Sequence, residues 1–536
     1  MTARMWDAIV IGSGFGGAMA AHALVTAGQR VLMLERGGWV ARGPQNWDAS
    51  GVGLITPHYT TETPYDVSSR GRRYRAGSWH CVGGQSVFYG GASLRFRERD
   101  FGPNDVIVGD SGAEWPFDYD AMEPFYSRAE QLLGVAGEAG VDPTEPWRSA
   151  PYPQPPAPLS RTARTIADAS SRLGLRPFRI PLAISYEGAS ERRACVRCGT
   201  CDGYACAAEA KNDIATTVIP DLTRRGMTLR ANTVCVRLVR DGSRVAAVEC
   251  VDRVTGERST FSAERFVLAA GALATPHLLL ASKLESCNPA GGSVGRYLMR
   301  HRNAVVFGVY ARQPNPERGF DKQIAIHDFY DGDPENGAPT GTLGGIQQMT
   351  PPVELVRAYM PVLVRDPAAT LVSHATGLLV IAEDQPRREN AVSIDWTNRD
   401  RFGLPRLRVS HAHTARDEAA AAVLAAHAKR ILREAGARIT YVHPIETFSH
   451  ALGTVRMGSD PHTAPLDEHG RFRGLDNLYV TDASALPRAA GVNPSLTIAA
   501  NALRIGARLA PSAAVAHTRR LSVIDDRHTT SPNAAR

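Results

Sequence analysis

At 536 residues the chain is too long for one simple core, so two domains or one interrupted domain is expected. Hydrophobic residues make up 43% and charged residues 21%, the make-up of a globular enzyme, and a formal charge of +7 is small for this length. Lysine stands only at Lys211, Lys283, Lys322 and Lys429, so the positive charge is scattered arginine, which argues against a nucleic-acid groove, while eight cysteines are too few for a disulfide scaffold.

The chain opens on Asp7 to Gly37. An apolar run, Ala8 to Ile11, predicts a buried parallel strand that ends in Gly12, Gly14 and Gly17 at G-x-G-x-x-G spacing. An Ala-rich helix is expected from Ala18 to Ala27, stopped by Gly28, and a second buried strand from Arg30 to Leu34, ending at Glu35. The first glycine permits a tight turn, the second lets backbone approach a pyrophosphate, and the third lets helix pack on strand. Glu35 is then placed to accept from ribose hydroxyls. The unit predicts a dinucleotide site and leaves NAD and FAD open. Met1 to Trp6 carries no apolar signal segment, which makes a cytoplasmic location the default expectation.

Paired glycines at 83–84 and 90–91 flank Ser86 and let backbone run close to a large flat group. Residues 142–158 are rich in proline and predict an extended surface connection. Cys195, Cys198, Cys201 and Cys206 approach a metal-ligand spacing. A cluster-binding run would need x3 and a following proline, where this chain has x4 and Ala207, so zinc, a cluster and plain buried thiols stay open. From Met227 to Leu268 alternating strands with turns at Asp241-Gly242 and Thr255-Gly256 predict a β-meander. Phe266 to Ala281 is apolar but broken by Pro276, which fits a buried strand and helix rather than a membrane span. Residues 296–412 predict short strands and polar loops, and Thr414 to Ala435 an amphipathic helix. Near the end, Asn493 is placed as N-cap and Pro494 as first residue of a last helix, whose positive end can face an anion or an electron-rich ring. Past Pro511 a disordered tail is expected.

GSGFGG at 12–17, GGQS at 83–86, GALATPHLLLAS at 271–282, HALGT at 450–454, VTDASALP at 480–487 and GVNPSLTI at 491–498 occur in this order, and together they resemble the glucose-methanol-choline (GMC) family of FAD-dependent alcohol oxidoreductases. The resemblance implies an α/β and α+β fold: a Rossmann-like FAD-binding domain from segments 1–100, 191–295 and 441–510, with an inserted antiparallel-sheet substrate domain from 101–190 and 296–440. It places Gly12, Gly14, Gly17, Glu35 and Val234 on the ADP half of the cofactor, Gly84 and Ser86 beside the flavin, and Asp482, Ala483 and Pro494 along the pyrophosphate, ribityl chain and ring. His450 matches the family's catalytic histidine and Asn493 its second position. Gln85 and Ser282-Lys283 depart from the family signatures. Phe88 stands where members with a covalent flavin carry histidine, so a dissociable FAD is expected, with His80 a poor alternative attachment point.

The implied chemistry is hydride loss from a carbinol carbon with the hydroxyl proton passing to neutral His450, while Asn493 hydrogen-bonds the same oxygen. A secondary hydroxyl of a sugar or glycoside is the expected substrate, oxidised to a keto-sugar, with oxygen or another acceptor completing the cycle. The cysteine segment beside a GMC frame, similar to that of bacterial pyranose and glycoside oxidases, suggests this class. A sterol or other bulky alcohol, a flavin-binding module without turnover, and a pyridine-nucleotide dehydrogenase are the alternatives.

Overall fold

The computed structural model describes residues 6–48, 65–187 and 193–510. The expected tail past Pro511 and the residues before Trp6 lie outside the described residues. The opening unit forms as its pattern predicts. Strands Trp6–Ile11 and Val31–Leu34 pair in parallel, and Ala263–Leu268, Leu478–Val480 and Thr228–Arg230 complete a five-stranded parallel sheet with Trp6–Ile11 at its centre. Ala8 to Ile11 and Val31 to Leu34 are buried without interruption, the mark of a sheet covered on both faces.

The first helix, Phe15–Thr26, begins three residues before the expected Ala18. Gly14, in extended backbone, is its N-cap, so Gly16 and Gly17 sit inside the first turn. Both are needed there. A Cβ on Gly17 would lie 2.0 Å from the carbonyl oxygen of Gly12, and one on Gly16 would lie 2.6 Å from that of Thr481, contacts with backbone that cannot rotate away.

A second, six-stranded sheet is antiparallel throughout, in the order Ile439–Pro444, Arg302–Val309, Ala375–Ala382, Gly344–Met349, Ile324–Ile326, Phe178–Arg179. Side chains alternate along it. Val306, Leu378 and Val380 pack on the helices Ala415–Glu434 and Arg161–Arg172, while Val305, Leu379 and Ile381 form the opposite face. The long helix starts as its sequence predicts: the hydroxyl of Thr414 accepts from the Asp417 N–H, and the Asp417 carboxylate accepts from the Thr414 N–H. The meander is present as an antiparallel sheet of Thr233–Asp241, Arg244–Asp252 and Arg258–Phe261, but it is shorter than the expected span: Thr228–Arg230 and Ala263–Leu268, at the two ends of that span, pair in the parallel sheet instead. Among the described residues no helix is long and apolar enough to cross a membrane.

The proline-rich stretch 142–158 holds no regular helix or strand, as expected, but it is not simply a surface connection. Asp142 turns inward, 2.6 Å from the Arg97 guanidinium and 3.0 Å from the His327 ring. Arg97 is buried, so its guanidinium charge needs a counter-charge beside it.

Candidate active site

One large cavity, about 1020 Å³, lies between the two sheets. Gly12, Gly14, Glu35, Val234, Gly84, Asp482, Ala483, His450, Asn493 and Pro494 all line it. Two of the expected residues do not. Gly17 serves helix packing, and Ser86 lies beneath the glycine loop, where its hydroxyl donates to the Gly83 carbonyl and accepts from the Ile214 N–H.

The end of the cavity beside Gly12 and Gly14 is built by backbone. Nothing lies within 4 Å of the position a Gly14 Cβ would take, so that face opens on the cavity, at the start of a helix with no side-chain cap. A pyrophosphate fits such a cradle, because the first N–H groups of the helix point out of it unpaired and carry partial positive charge. Glu35 is buried. Its carboxylate accepts from the Ser13 N–H and hydroxyl at 3.0 and 2.6 Å and from the Gly37 N–H at 2.8 Å, and burial still pushes it above its ordinary range. Ser13 also accepts from the Gly83 N–H, which ties the first glycine loop to the second. Asp482 accepts from the Gly271 N–H and the Thr275 hydroxyl on one oxygen and from Ser484 on the other, so it shapes the turn beside Ala483. Phe88 and Trp79 stack at 4.2 Å on the cavity wall, and His80 lines it nearby.

At the other end stand His450 and Asn493. The chain after His450 is stitched on both sides. Leu452 exchanges backbone hydrogen bonds with Met299, and Gly453, Val455 and Met457 donate to Ala483, Ser484 and Ala485. The His450 Nδ1 lies 3.1 Å from Nδ1 of His301, and Nε2 has no protein partner among the described residues. Burial holds this imidazole well below 6.5, helped by His301 and Lys322, so it is neutral at neutral pH. Lys322 itself pairs with Asp202 at 3.0 Å on the same cavity wall.

Asn493 does not cap the last helix. That helix is Ser495–Leu509 with Pro494 at the N-cap position and no side-chain cap. The Asn493 amide oxygen instead accepts from Gln347 Nε2 at 2.7 Å, which leaves its Nδ2 donor for the cavity. The physical reason is competition: the Gln347 side chain, buried on the antiparallel sheet, needs a partner for its amide, and Asn493 supplies it. Gln347 and His301 were not singled out by the sequence, since each is an ordinary polar residue within a strand or at a strand start.

Among the described residues, Asp384, His411 and His413 form the group whose possible ligand atoms converge, within 4.8 Å of one another. Both Asp384 oxygens already accept backbone N–H groups, from Arg300 and His301, and His413 Nε2 donates to the His301 carbonyl. Cys195, Cys198, Cys201 and Cys206 are free thiols that do not converge in this way, and burial pushes Cys195 up to about 11.

A backbone cradle of a shape that suits a pyrophosphate shares one cavity with a neutral imidazole and an amide donor, an arrangement compatible with nucleotide-dependent oxidation of a polar substrate. Comparison makes the class specific. Family models described as GMC oxidoreductase match residues 164–303 and 386–502. The chain is 32% identical to 6'''-hydroxyparomomycin C oxidase of Streptomyces lividus, over 95% of this chain and 92% of that protein. It is 31% identical to paromamine 6'-oxidase of Streptomyces fradiae, over 96% of this chain and 93% of that one. Pyridoxine 4-oxidase from Mesorbium loti shares the fold, with a TM-score of 0.66 at 20% identity over 94% of this chain and 99% of that one. The chain belongs to the GMC oxidoreductase family, and it is an FAD-dependent oxidoreductase acting on CH–OH groups.

Proposed function

We propose that the protein oxidises a hydroxyl of a sugar or glycoside, with His450 as the base, Asn493 as the group that holds the reacting oxygen, and FAD bound without a covalent link. The observation that carries this reading is the neutral His450 imidazole on the wall of the nucleotide cavity with an unpartnered Nε2. FAD, when bound, supplies the acceptor for the carbinol hydride. Gly12, Gly14 and the start of the first helix would hold its pyrophosphate, Glu35 and Val234 its adenosine, and Asp482, Ala483 and Pro494 the remainder. Around His450 the cavity offers hydrogen-bonding groups suited to a polyol, among them Asn303, Ser449, Thr447 and the Lys322–Asp202 pair. Two relatives named as oxidases of paromamine and of hydroxyparomomycin C support the same class. The division into FAD segments 1–100, 191–295 and 441–510 around substrate segments 101–190 and 296–440 belongs to this reading.

Proton transfer comes first in the logic of the site. An alcohol is too weak an acid to lose hydride unassisted, so a lone pair within reach of the hydroxyl lowers the barrier. Asn493 Nδ2 donates to the same oxygen and turns the carbinol carbon, and its own orientation is held by Gln347. The phenyl ring of Phe88 offers no attachment point, which favours a dissociable cofactor.

Anaerobic titration of the holoenzyme with paromamine, simple glucosides and cholesterol tests the reading by bleaching of the flavin. Bleaching by the sugars is expected, and product analysis then separates a ring ketone, the sequence-based expectation, from an exocyclic aldehyde. Bleaching by cholesterol alone would overturn the sugar assignment. Acid precipitation is expected to leave the flavin in the supernatant, and oxygen consumption during turnover distinguishes oxygen from another acceptor.

The pH dependence follows from the same group. Only neutral His450 accepts a proton, and its affinity for protons is depressed, so kcat/KM is expected to be flat through neutrality. The rate should fall only as pH drops well below 6.5. An acid limb centred at or above 6.5 would contradict the role given to this residue.

A further inference from the structure

We infer that His301 is a positioning residue that fixes which nitrogen of His450 carries the lone pair, an inference that rests on His450 being the base. The His301 Nε2 lies 3.1 and 3.0 Å from the carbonyl oxygens of Ala489 and Ala490. Carbonyls only accept, so this nitrogen carries the hydrogen, and a neutral imidazole then has a bare Nδ1. That bare Nδ1 is the atom 3.1 Å from Nδ1 of His450. Two lone pairs cannot share such a contact, so His450 Nδ1 donates. Its Nε2 is left as the acceptor on the cavity side, the tautomer a general base requires.

The bracket behind His301 is built to hold this arrangement. His301 sits in left-handed backbone, φ 59°, with its N–H on Asp384 at 3.0 Å, while the Arg300 N–H takes the other Asp384 oxygen at 2.9 Å. The His301 carbonyl accepts from His413, and Arg300 donates to His411 at 3.4 Å. Asp384 and His413 are thus committed to the backbone of residues 300–301 and His411 to the Arg300 side chain, which accounts for their convergence. The chain from 489 to 493 then carries both the carbonyls that orient His301 and the amide of Asn493, so base and oxygen holder are set by one segment.

Two variants separate positioning from bulk structure. Asparagine tolerates left-handed backbone and presents an acceptor near the place of the imidazole Nδ1, whereas leucine presents none. In ¹⁵N-histidine-labelled holoenzyme, with His450→Gln used to assign the signals, His450 is expected to be protonated at Nδ1 and bare at Nε2. His301→Asn should keep that pattern, and His301→Leu should populate the opposite tautomer. In stopped flow with paromamine, His301→Leu is expected to slow flavin reduction about 100-fold with little change in the half-saturating concentration. His301→Asn should recover at least about a tenth of the wild-type rate. A wild-type His450 protonated at Nε2, or a tautomer unmoved by His301→Leu, would overturn the inference. Failure of paromamine to reduce the wild-type enzyme would count against the proposed substrate instead, and the nitrogen spectrum would still decide the tautomer. Should the leucine variant not fold, the wild-type and asparagine spectra carry the test.

Discussion

His450→Ala is expected to yield a folded, yellow enzyme whose flavin is reduced by substrate about 100-fold to 10,000-fold more slowly than in the wild type. That range corresponds to about 3–5 kcal/mol of lost transition-state stabilisation, the contribution typical of a well-placed general base. Binding of the cofactor should survive, because the cradle proposed for its pyrophosphate lies in the 12–17 segment and the 482–485 turn, neither of which touches the imidazole through a hydrogen bond. The cost to stability is small. Truncation leaves one nitrogen of His301 without a partner, worth about 1 kcal/mol, beside a cavity that admits water. Stopped-flow reduction under anaerobic conditions, with flavin content measured by absorbance, checks both halves. A rate within about threefold of wild type would remove His450 from the chemistry.

Arg488→Met is expected to have the largest effect on stability. The guanidinium is 1% exposed and meets a fully buried Glu383 at 3.2 Å, while it also donates to the carbonyls of Asp100 and Gly102. Removing it strands a buried carboxylate that keeps only the Ala490 N–H, a loss of about 3–5 kcal/mol. Replacing both partners, as Arg488→Met with Glu383→Leu, should recover part of this loss, since an apolar pair carries no desolvation penalty. Chemical denaturation of the three proteins measures the cycle. The single variant should also slow flavin reduction, because Arg488 anchors the turn whose next residues orient His301 and whose end is Asn493. A double variant as unstable as the single one would show that the ion pair, rather than the stranded charge, is what matters.

Burial of the two histidine-bearing segments came from contacts that no local pattern announces. His301 and His450 are 149 residues apart, and Asn493 and Gln347 are 146 apart. A histidine at the start of a strand looks like any of the 16 in the chain. The expected cap at Asn493 was sound as local chemistry, since asparagine before proline is a good helix start. It lost to a partner on another sheet. The same competition drew Asp142 out of a stretch that looked like surface and onto Arg97.

By itself the sequence determined the elements whose causes lie within a few residues: the glycine-spaced turn and its flanking strands, the central hairpin of the meander with its glycine turn, and the amphipathic helix that starts at Thr414. It also determined the family, because separate glycine-rich segments recur in one order. Only the tertiary structure decided how those segments meet. It ran Ser86 under the loop instead of into the cavity, left Asn493 facing the cavity through Gln347, and set His301 against His450. The reason is that hydrogen-bond partners across sheets depend on strand register and loop placement, which are fixed by packing of the whole core and not by neighbours along the chain.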